Sequence, residues 1–354
     1  MSTEQDISAE LQEQVKAAAA EGTPVRIVGG GTKTFYGREP RGTPLEVSGH
    51  RGIVAYEPSE LVITARAGTP LSEVESTLAE RGQMLAFEPP HFGAGATLGG
   101  AMATGLSGPR RPYAGAARDM TLGVKILNGK GDILRFGGQV MKNVAGYDIS
   151  RLMVGAVGTL GVLLEITLKL LPAPAAETTR VFELDAASAI RTMNTWAATP
   201  APISAACHDG AHLYLRLAGT GGGVASAVRK LGGESLDEPG FWSAVREHTH
   251  EFFAADEPLW RLAVPPASPP LPVAGRWFTD WGGAQRWLRT EAETDEVRAR
   301  AMEAHGHASV FRGGERAGEV FHPLAAEMLR LHQSLKVAFD PERILNPGRM
   351  YAEL

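Results

Sequence analysis

Apolar residues in this chain fall mostly into short runs and alternations punctuated by glycine and proline, and few stretches sustain a helical period. Residues 4–20 repeat apolar positions at helical spacing and end before Gly22 and Pro24, which predicts a first helix. Residues 25–28, VRIV, form a β-branched run that stops at three glycines. Residues 52–56 and 61–67 read as two strands with turn residues between them. A helix is expected to open with Thr69 as N-cap and Pro70 at its first position and to run to Arg81, closed by Gly82. Residues 83–87 return as a strand and lead into a long glycine loop. Residues 120–128 and 132–137 pair across Asn128, Gly129, Lys130 and Gly131 as a hairpin, and residues 162–171 suit a buried strand. Strands and helices do not alternate as in a regular βαβ series, so the reading is α+β.

Pro172 and Pro174 close this first part, taken as a domain of residues 1–172. Beyond residue 178 a strand (181–184), a helix (186–198), two strands (203–208 and 212–217) and a helix (223–231) give a βαββα unit of ferredoxin-like type. An amphipathic helix over 241–253, strands at 260–264 and 275–281, a helix at 294–305 and a strand at 307–312 extend it, so residues 173–315 form a second domain. A long helix over 323–339 and the tail to residue 354 complete the chain and are expected to return to the first domain.

The chemistry is concentrated where side chains are scarce. Residues 93–107 carry no charge and are dense in glycine, so the backbone there can approach another group closely. Backbone N–H groups along such a run suit a phosphate or pyrophosphate. The turn Gly29, Gly30, Gly31, Thr32, Lys33, Thr34 has the same character but is neither standard phosphate motif. Thr32 stands where a P-loop needs glycine, and Thr34 stands where the dinucleotide fingerprint needs its third glycine. A third run, with Gly155, Gly158 and Gly161, leads into the 162–171 strand.

Composition narrows the partners. At 354 residues and a net charge of −5, the chain lacks the polycationic surface that nucleic-acid binding leaves in a sequence. Its one cysteine, Cys207, excludes an internal disulfide and a Cys-ligated iron–sulfur cluster within the chain, and a reducing cytoplasm is the expected compartment. The acidic, amphipathic start does not read as a secretory signal, and no apolar run reaches spanning length. If the protein sits at a membrane, a partner is expected to hold it there.

Taken together, VGGGTK, EPPHFGAGATLGGAMATGLSGPRRPYAGAARDMTLGVKILNGKGDIL, MKNVAGYDISRLMVGAVGTLGV and FDPERILNPG resemble the flavoenzyme superfamily typified by vanillyl-alcohol oxidase and p-cresol methylhydroxylase. Within it the chain is most similar to the smaller FAD-binding subunits of bacterial glycolate oxidase. The resemblance covers residues 28–162 almost continuously together with the C-terminus, and only weakly the middle domain. It implies a two-subdomain FAD-binding fold with a small ferredoxin-like α+β cap. The first turn, Gly29 to Thr34, is implied to wrap the FAD pyrophosphate. The second run, flanked by Pro90 and comprising Gly95, Ala96, Thr97, Leu98, Gly99, Gly100, Thr104 and Gly105, is implied to line the ribityl chain and flavin. Gly158, Thr159, Gly161 and Val162 are implied to lie near the flavin or adenine end, with Asn346 approaching from the tail. Some members attach flavin covalently through His or Cys in the first two runs. Here His91 is the only nearby candidate, so non-covalent FAD is expected.

The resemblance further implies a multi-subunit glycolate (2-hydroxyacid) dehydrogenase with a sister FAD-containing catalytic subunit and an iron–sulfur subunit. Glycolate, or D-lactate, is its small 2-hydroxy acid at the level of the complex. The alternatives are a self-sufficient FAD-dependent 2-hydroxyacid dehydrogenase and a scaffold without turnover. His305 and His307 have the spacing of a metal pair but no third ligand is identifiable, so no metal is expected, and His208, His212, His248 and His250 are read as structural. Arg110, Arg111 and Arg118 suit either an anion or a subunit contact. Lys142 and Tyr147 of the motif are read as packing residues, and Phe241, Trp242, Trp281 and Trp287 as core or interface. No catalytic residue is assigned.

Overall fold

The computed structural model of the chain describes residues 4–138 and 148–354, so Lys142 and Tyr147 lie outside the described residues. The chain divides into two compact units. Met1–Leu106, Ala116–Pro172 and Arg316–Leu354 form the first; Ser107–Gly115 and Ala173–Glu315 form the second.

In the first unit the opening helix spans Ser8–Glu21 and is closed by Gly22 in the left-handed region at φ 63°. It begins four residues later than expected because Asp6 accepts the Ser8 N–H at 2.9 Å and forms a turn ahead of it. The strand Val25–Val28 pairs in parallel with Thr43–Glu46, a strand hidden in the sequence by the breakers around it. An antiparallel five-stranded sheet runs in the order Ile53–Glu57, Val62–Arg66, Val162–Lys169, Thr121–Leu127, Ile133–Gly137. Its central strand Val162–Lys169 is buried at all but its last residue, as a strand covered on both faces must be. Leu11 and Val15 of the first helix, and Leu71, Val74 and Leu78 of the helix Leu71–Ala79, join this core.

Two expectations change here. Thr69 does not cap the Leu71–Ala79 helix, where Pro70 is the N-cap without a side-chain bond. Instead Thr69 Oγ1 accepts the Gly52 N–H at 2.9 Å and donates to the Gly52 carbonyl at 3.2 Å, joining the helix start to the strand hairpin. The second glycine run is not a loop throughout. Leu98–Thr104 is a helix, with Thr97 Oγ1 accepting the Gly100 N–H at 3.2 Å as N-cap and Gly105 closing it at φ 62°. Glycine lowers helix propensity, and packing compensates, since Leu98, Ala101 and Met102 are fully buried.

The second unit holds an eight-stranded sheet ordered Glu234–Ser235, Ala176–Glu183, His212–Gly219, Ile203–His208, Arg276–Asp280, Gln285–Arg289, Leu259–Ala263, His307–Arg312. The first four strands, with the helices Ala186–Ala197 and Gly221–Leu231, make the ferredoxin-like half. Asp185 and Thr220 cap these helices by accepting the Ser188 and Gly223 N–H groups. The other four strands continue the same sheet. Gln285–Arg289 escapes the sequence pattern because its arginines are buried. Arg286 is neutral to that pattern only because carbonyls receive it: Nε donates to Gly283 O and Nη2 to Ser268 O, both at 2.7 Å. The helix expected over 241–253 stops at Glu247, where His248 turns left-handed at φ 56° and stacks on Phe253 with centroids 4.0 Å apart.

Ser107–Gly115, read from sequence as part of the first domain, belongs to the second unit. Trp281 Nε1 donates to Gly108 O at 3.0 Å, Arg110 pairs with Glu177 at 3.1 Å, and the Arg111 guanidinium lies 4.3 Å from the Trp281 ring centre. These contacts join residues far apart in sequence, which periodicity does not register.

Candidate functional site

The Val25–Val28 strand delivers the first glycine turn into a cleft of the first unit, and steric limits explain its composition. A Cβ on Gly30 would sit 1.4 Å from the Gly95 carbonyl oxygen, and one on Gly29 would sit 2.7 Å from Thr97 Oγ1. Only glycine allows the two runs to meet. Gly31 is different: at φ 71° it needs the left-handed region, while the space where its Cβ would lie is open. Among the described residues, no protein acceptor takes the N–H groups of Gly29, Gly30, Gly31 or Thr32. Four consecutive donors at a cleft wall form a concave site for an anion.

The helix Leu98–Thr104 supplies a different kind of wall. Its first N–H groups are already used, Leu98 N–H by Thr69 O at 2.9 Å, Gly99 N–H by Ala67 O at 2.7 Å and Gly100 N–H by Thr97 Oγ1. It offers close backbone approach through Gly99 and Gly100 rather than an anion site. The Thr104 hydroxyl donates back to Gly100 O at 3.0 Å.

The tail closes the cleft. Asn346, 8% exposed and at φ 42°, lines it with Gly158 and Val157. Its Oδ1 accepts the Ile27 N–H at 2.8 Å and its Nδ2 donates to Val157 O at 2.7 Å. Arg349, also buried, donates to Thr34 O at 2.8 Å and to Arg38 O, securing the end of the first turn. Burial, reinforced by the nearby charges of Arg316 and Arg26, brings the Arg349 pKa down to about 10. Lys33, 8% exposed, donates to His91 O at 3.1 Å.

The cleft has about 950 Å³ of empty space, including the part that opens to solvent. Among the described residues, Arg26, Lys33 and Arg349 line it, and no Asp or Glu does. Ile27, Val28, Val47, Ala67, Ala103 and Leu163 give apolar wall. Of the residues singled out in the sequence, Gly29, Gly30, Gly31, Thr32, Lys33, Thr34, Thr97, Gly99, Gly100, Thr104, Gly158, Gly161 and Asn346 come together on this lining. Pro90, Gly95, Ala96, Leu98, Gly105, Thr159 and Val162 do not. Gly95 supports Gly30 from behind; Ala96, Leu98 and Val162 are core; Gly105 closes a helix; Thr159 is buried with its hydroxyl on Ala156 O at 2.8 Å. Arg26, Tyr36 and Arg349 were missed. The one signal for Arg349 was its place directly after the FDPERILNPG run.

His91 pairs with Glu75 at 2.9 Å, and among the described residues neither His nor Cys lines the cleft. His305 and His307 are exposed, and no group of three metal-binding side chains occurs among the described residues. Cys207 is fully buried in the second unit, and burial pushes its thiol pKa well up. His208 Nε2 donates to Leu184 O at 2.8 Å, and Phe241, Trp242, Trp281 and Trp287 are buried. No helix among the described residues is long and apolar enough to cross a membrane.

The donor set fits FAD. A dianionic pyrophosphate requires several converging donors, because each charge-assisted hydrogen bond contributes only about 1.5–3 kcal/mol, and the unpaired N–H run with three cations and no acid meets that requirement. Flat aromatic rings require apolar walls and close backbone, which the Leu98–Thr104 helix and the aliphatic lining provide. Fold and cleft define an FAD-binding protein of the vanillyl-alcohol oxidase and p-cresol methylhydroxylase type. Residues 6–137 match the family described as FAD binding domain. Among solved structures, alkyldihydroxyacetonephosphate synthase has this fold, with a TM-score of 0.65 over 96% of this chain and 74% of that one at 16% identity. The glycolate oxidase subunit GlcE of Escherichia coli (strain K12) is 48% identical over 354 residues, 100% of both chains. D-2-hydroxyglutarate dehydrogenase of Xanthomonas citri pv. viticola is 32% identical over 169 residues, 47% of this chain and 35% of that enzyme. The chain belongs to the GlcE family of FAD-linked oxidoreductase subunits.

Proposed function

We propose that this chain is the FAD-binding subunit of a multi-subunit glycolate (2-hydroxyacid) dehydrogenase, passing electrons from the oxidation of glycolate to glyoxylate towards an iron–sulfur subunit. The observation that carries the reading is the acid-free cleft with its run of unpaired N–H donors, in a chain 48% identical to a glycolate oxidase subunit over its whole length. When bound, FAD supplies the electron acceptor. The chain's own residues do the rest. Gly29 to Thr32 offer N–H groups to the pyrophosphate, and Arg26, Lys33 and Arg349 offset its charge. Gly99, Gly100 and Ala103 let the ring system lie against backbone. Binding is non-covalent, which accords with a lining free of His and Cys.

The partners are a sister FAD-containing catalytic subunit and an iron–sulfur subunit. A single cysteine supports the need for the latter, since a Cys-ligated cluster requires several thiolates. The complex acts on a small 2-hydroxy acid, glycolate with D-lactate as the second candidate. It works in the cytoplasm or at the inner membrane, where the partner subunits hold this chain. The test is the visible spectrum of the purified chain, recorded anaerobically before and after glycolate or D-lactate. The expected result is a flavin spectrum that persists with the chain alone and bleaches once the partner subunits are added. Rapid bleaching by the isolated chain would place substrate oxidation within it and overturn the relay.

A further inference from the structure

Asn346, implied by the family resemblance to approach the flavin, lines the cleft with both polar atoms of its side chain bonded to the protein. Asn346 Oδ1 is held by the Ile27 N–H and Nδ2 by Val157 O, so one amide joins the strand that carries the first glycine turn to the turn that carries Gly158. Both Asn346 (φ 42°) and Val157 (φ 45°) occupy the left-handed region, which is costly for a β-branched valine. Such strain persists only where the surroundings over-determine it, and it collects at ligand clamps. Val157 is held from its other side by its N–H on Ala103 O at 2.8 Å. Gly158 allows no side chain, since a Cβ would lie 2.6 Å from Asn346 Nδ2.

The segment bearing Asn346 is fixed at both ends. Lys336 and Asp340, 1% and 0% exposed, pair at 2.7 Å. Lys336 Nζ also donates to Leu345 O at 2.7 Å and to Thr159 O at 2.8 Å, while Asp340 accepts the Ile344 and Leu345 N–H groups at 3.1 and 2.8 Å. Downstream, Arg349 is bonded to Thr34 O. The backbone on either side of Asn346 joins the first strand, with Val25 N–H on Ile344 O at 2.8 Å and Asn346 N–H on Val25 O at 2.9 Å.

We propose that Asn346 is a positioning residue for the cofactor: its amide sets the separation of the Ile27 strand and the Val157–Gly158 turn, and the buried Lys336–Asp340 pair holds it there. This rests on the reading that the cleft holds FAD. It makes cofactor binding and docking of the tail two parts of one equilibrium, so each stabilises the other. Space-filling alone does not explain the residue. Aspartate has the same shape and keeps the bond from Ile27, but it sets an oxygen against the Val157 carbonyl.

The test uses the full chain, N346D and N346A, with L78A as a core truncation outside the cleft. FAD affinity and amide exchange of the apoprotein over residues 25–29 and 156–161 are measured together. In both Asn346 variants exchange in these segments accelerates without FAD, and the FAD Kd rises at least about tenfold. L78A lowers the melting temperature but leaves Kd within about twofold. Unchanged exchange in the apoprotein of N346D, or a Kd within about twofold of wild type, overturns the proposal. So does an equal loss of affinity in L78A, which would reduce the effect to general destabilisation. Where the Asn346 variants do not fold, wild type decides: FAD must slow exchange at Ile27, and no slowing overturns the proposal. Failure of wild type to bind FAD would instead refute the reading of the cleft.

Discussion

Replacing Gly30 by alanine puts a methyl group where the Gly95 carbonyl oxygen stands, 1.4 Å from it. To restore ordinary contact the two runs must separate by roughly 2 Å. Overpacking of this kind costs about 1–3 kcal/mol of stability. The effect on the cofactor is larger, because the turn presents its N–H groups as a set. Losing two charge-assisted bonds at about 1.5–3 kcal/mol each amounts to about 3–6 kcal/mol. That is a Kd raised by roughly two to four powers of ten. Gly31→Ala is the matched comparison. Its Cβ meets nothing within 4 Å, so its cost is the left-handed φ of 71° alone, about 1–2 kcal/mol. The assay is titration of each apoprotein with FAD, followed by flavin fluorescence, beside thermal unfolding without FAD. Both variants melt earlier, but G30A loses affinity far more than G31A. If G30A melts earlier and still binds FAD within about threefold of wild type, the turn does not hold the pyrophosphate and the assignment of the cleft fails.

Lys336→Met removes the cation from a fully buried pair and leaves the Asp340 carboxylate in the core; urea unfolding should show a loss of about 3–5 kcal/mol. His248 is held neutral in the folded protein, its pKa kept well below the usual 6.5 by burial and then by Arg312, Arg261 and Arg289. Below pH 6.5 the unfolded chain binds a proton that the folded one refuses, so stability falls with falling pH, by up to about 1.4 kcal/mol per unit. His248→Phe, which keeps the stack on Phe253, should flatten the dependence of unfolding free energy between pH 7 and 5; an unchanged slope would refute the assignment. Trp281→Phe loses the bond to Gly108 O and weakens the site for the Arg111 guanidinium, so amide exchange over Ser107–Gly115 should accelerate and stability should fall by about 1–2 kcal/mol.

How much could be read in advance differed by element for physical reasons. The first turn was legible because a β-branched run that stops at Gly29, Gly30 and Gly31 leaves a backbone with little to pack and much to present. The hairpin Thr121–Leu127 and Ile133–Gly137 was legible from its Asn–Gly turn, and the ferredoxin-like half from its strand, helix, strand, strand, helix order, whereas the caps Asp185 and Thr220 emerged only in the structure. The helix within the second glycine run was not, because its intrinsic propensity is poor and burial of Leu98, Ala101 and Met102 overrides it. Nor was the strand Gln285–Arg289, where carbonyl partners let arginines occupy positions that a polarity pattern assigns to solvent.

The sequence by itself determined the local conformations that only certain residues permit: glycine where two backbones meet, glycine at left-handed helix ends, and alternation where one sheet face is buried. The tertiary structure alone decided which of those residues share a cleft. It sorted Gly30 onto the lining and Gly95 behind it, and it brought Arg349 to the first turn across 315 residues of sequence separation. It also turned Asn346 inward, to Ile27 and Val157. Hydrogen-bond partners for a buried side chain are chosen by the three-dimensional surroundings, and sequence periodicity reports only that the side chain is there.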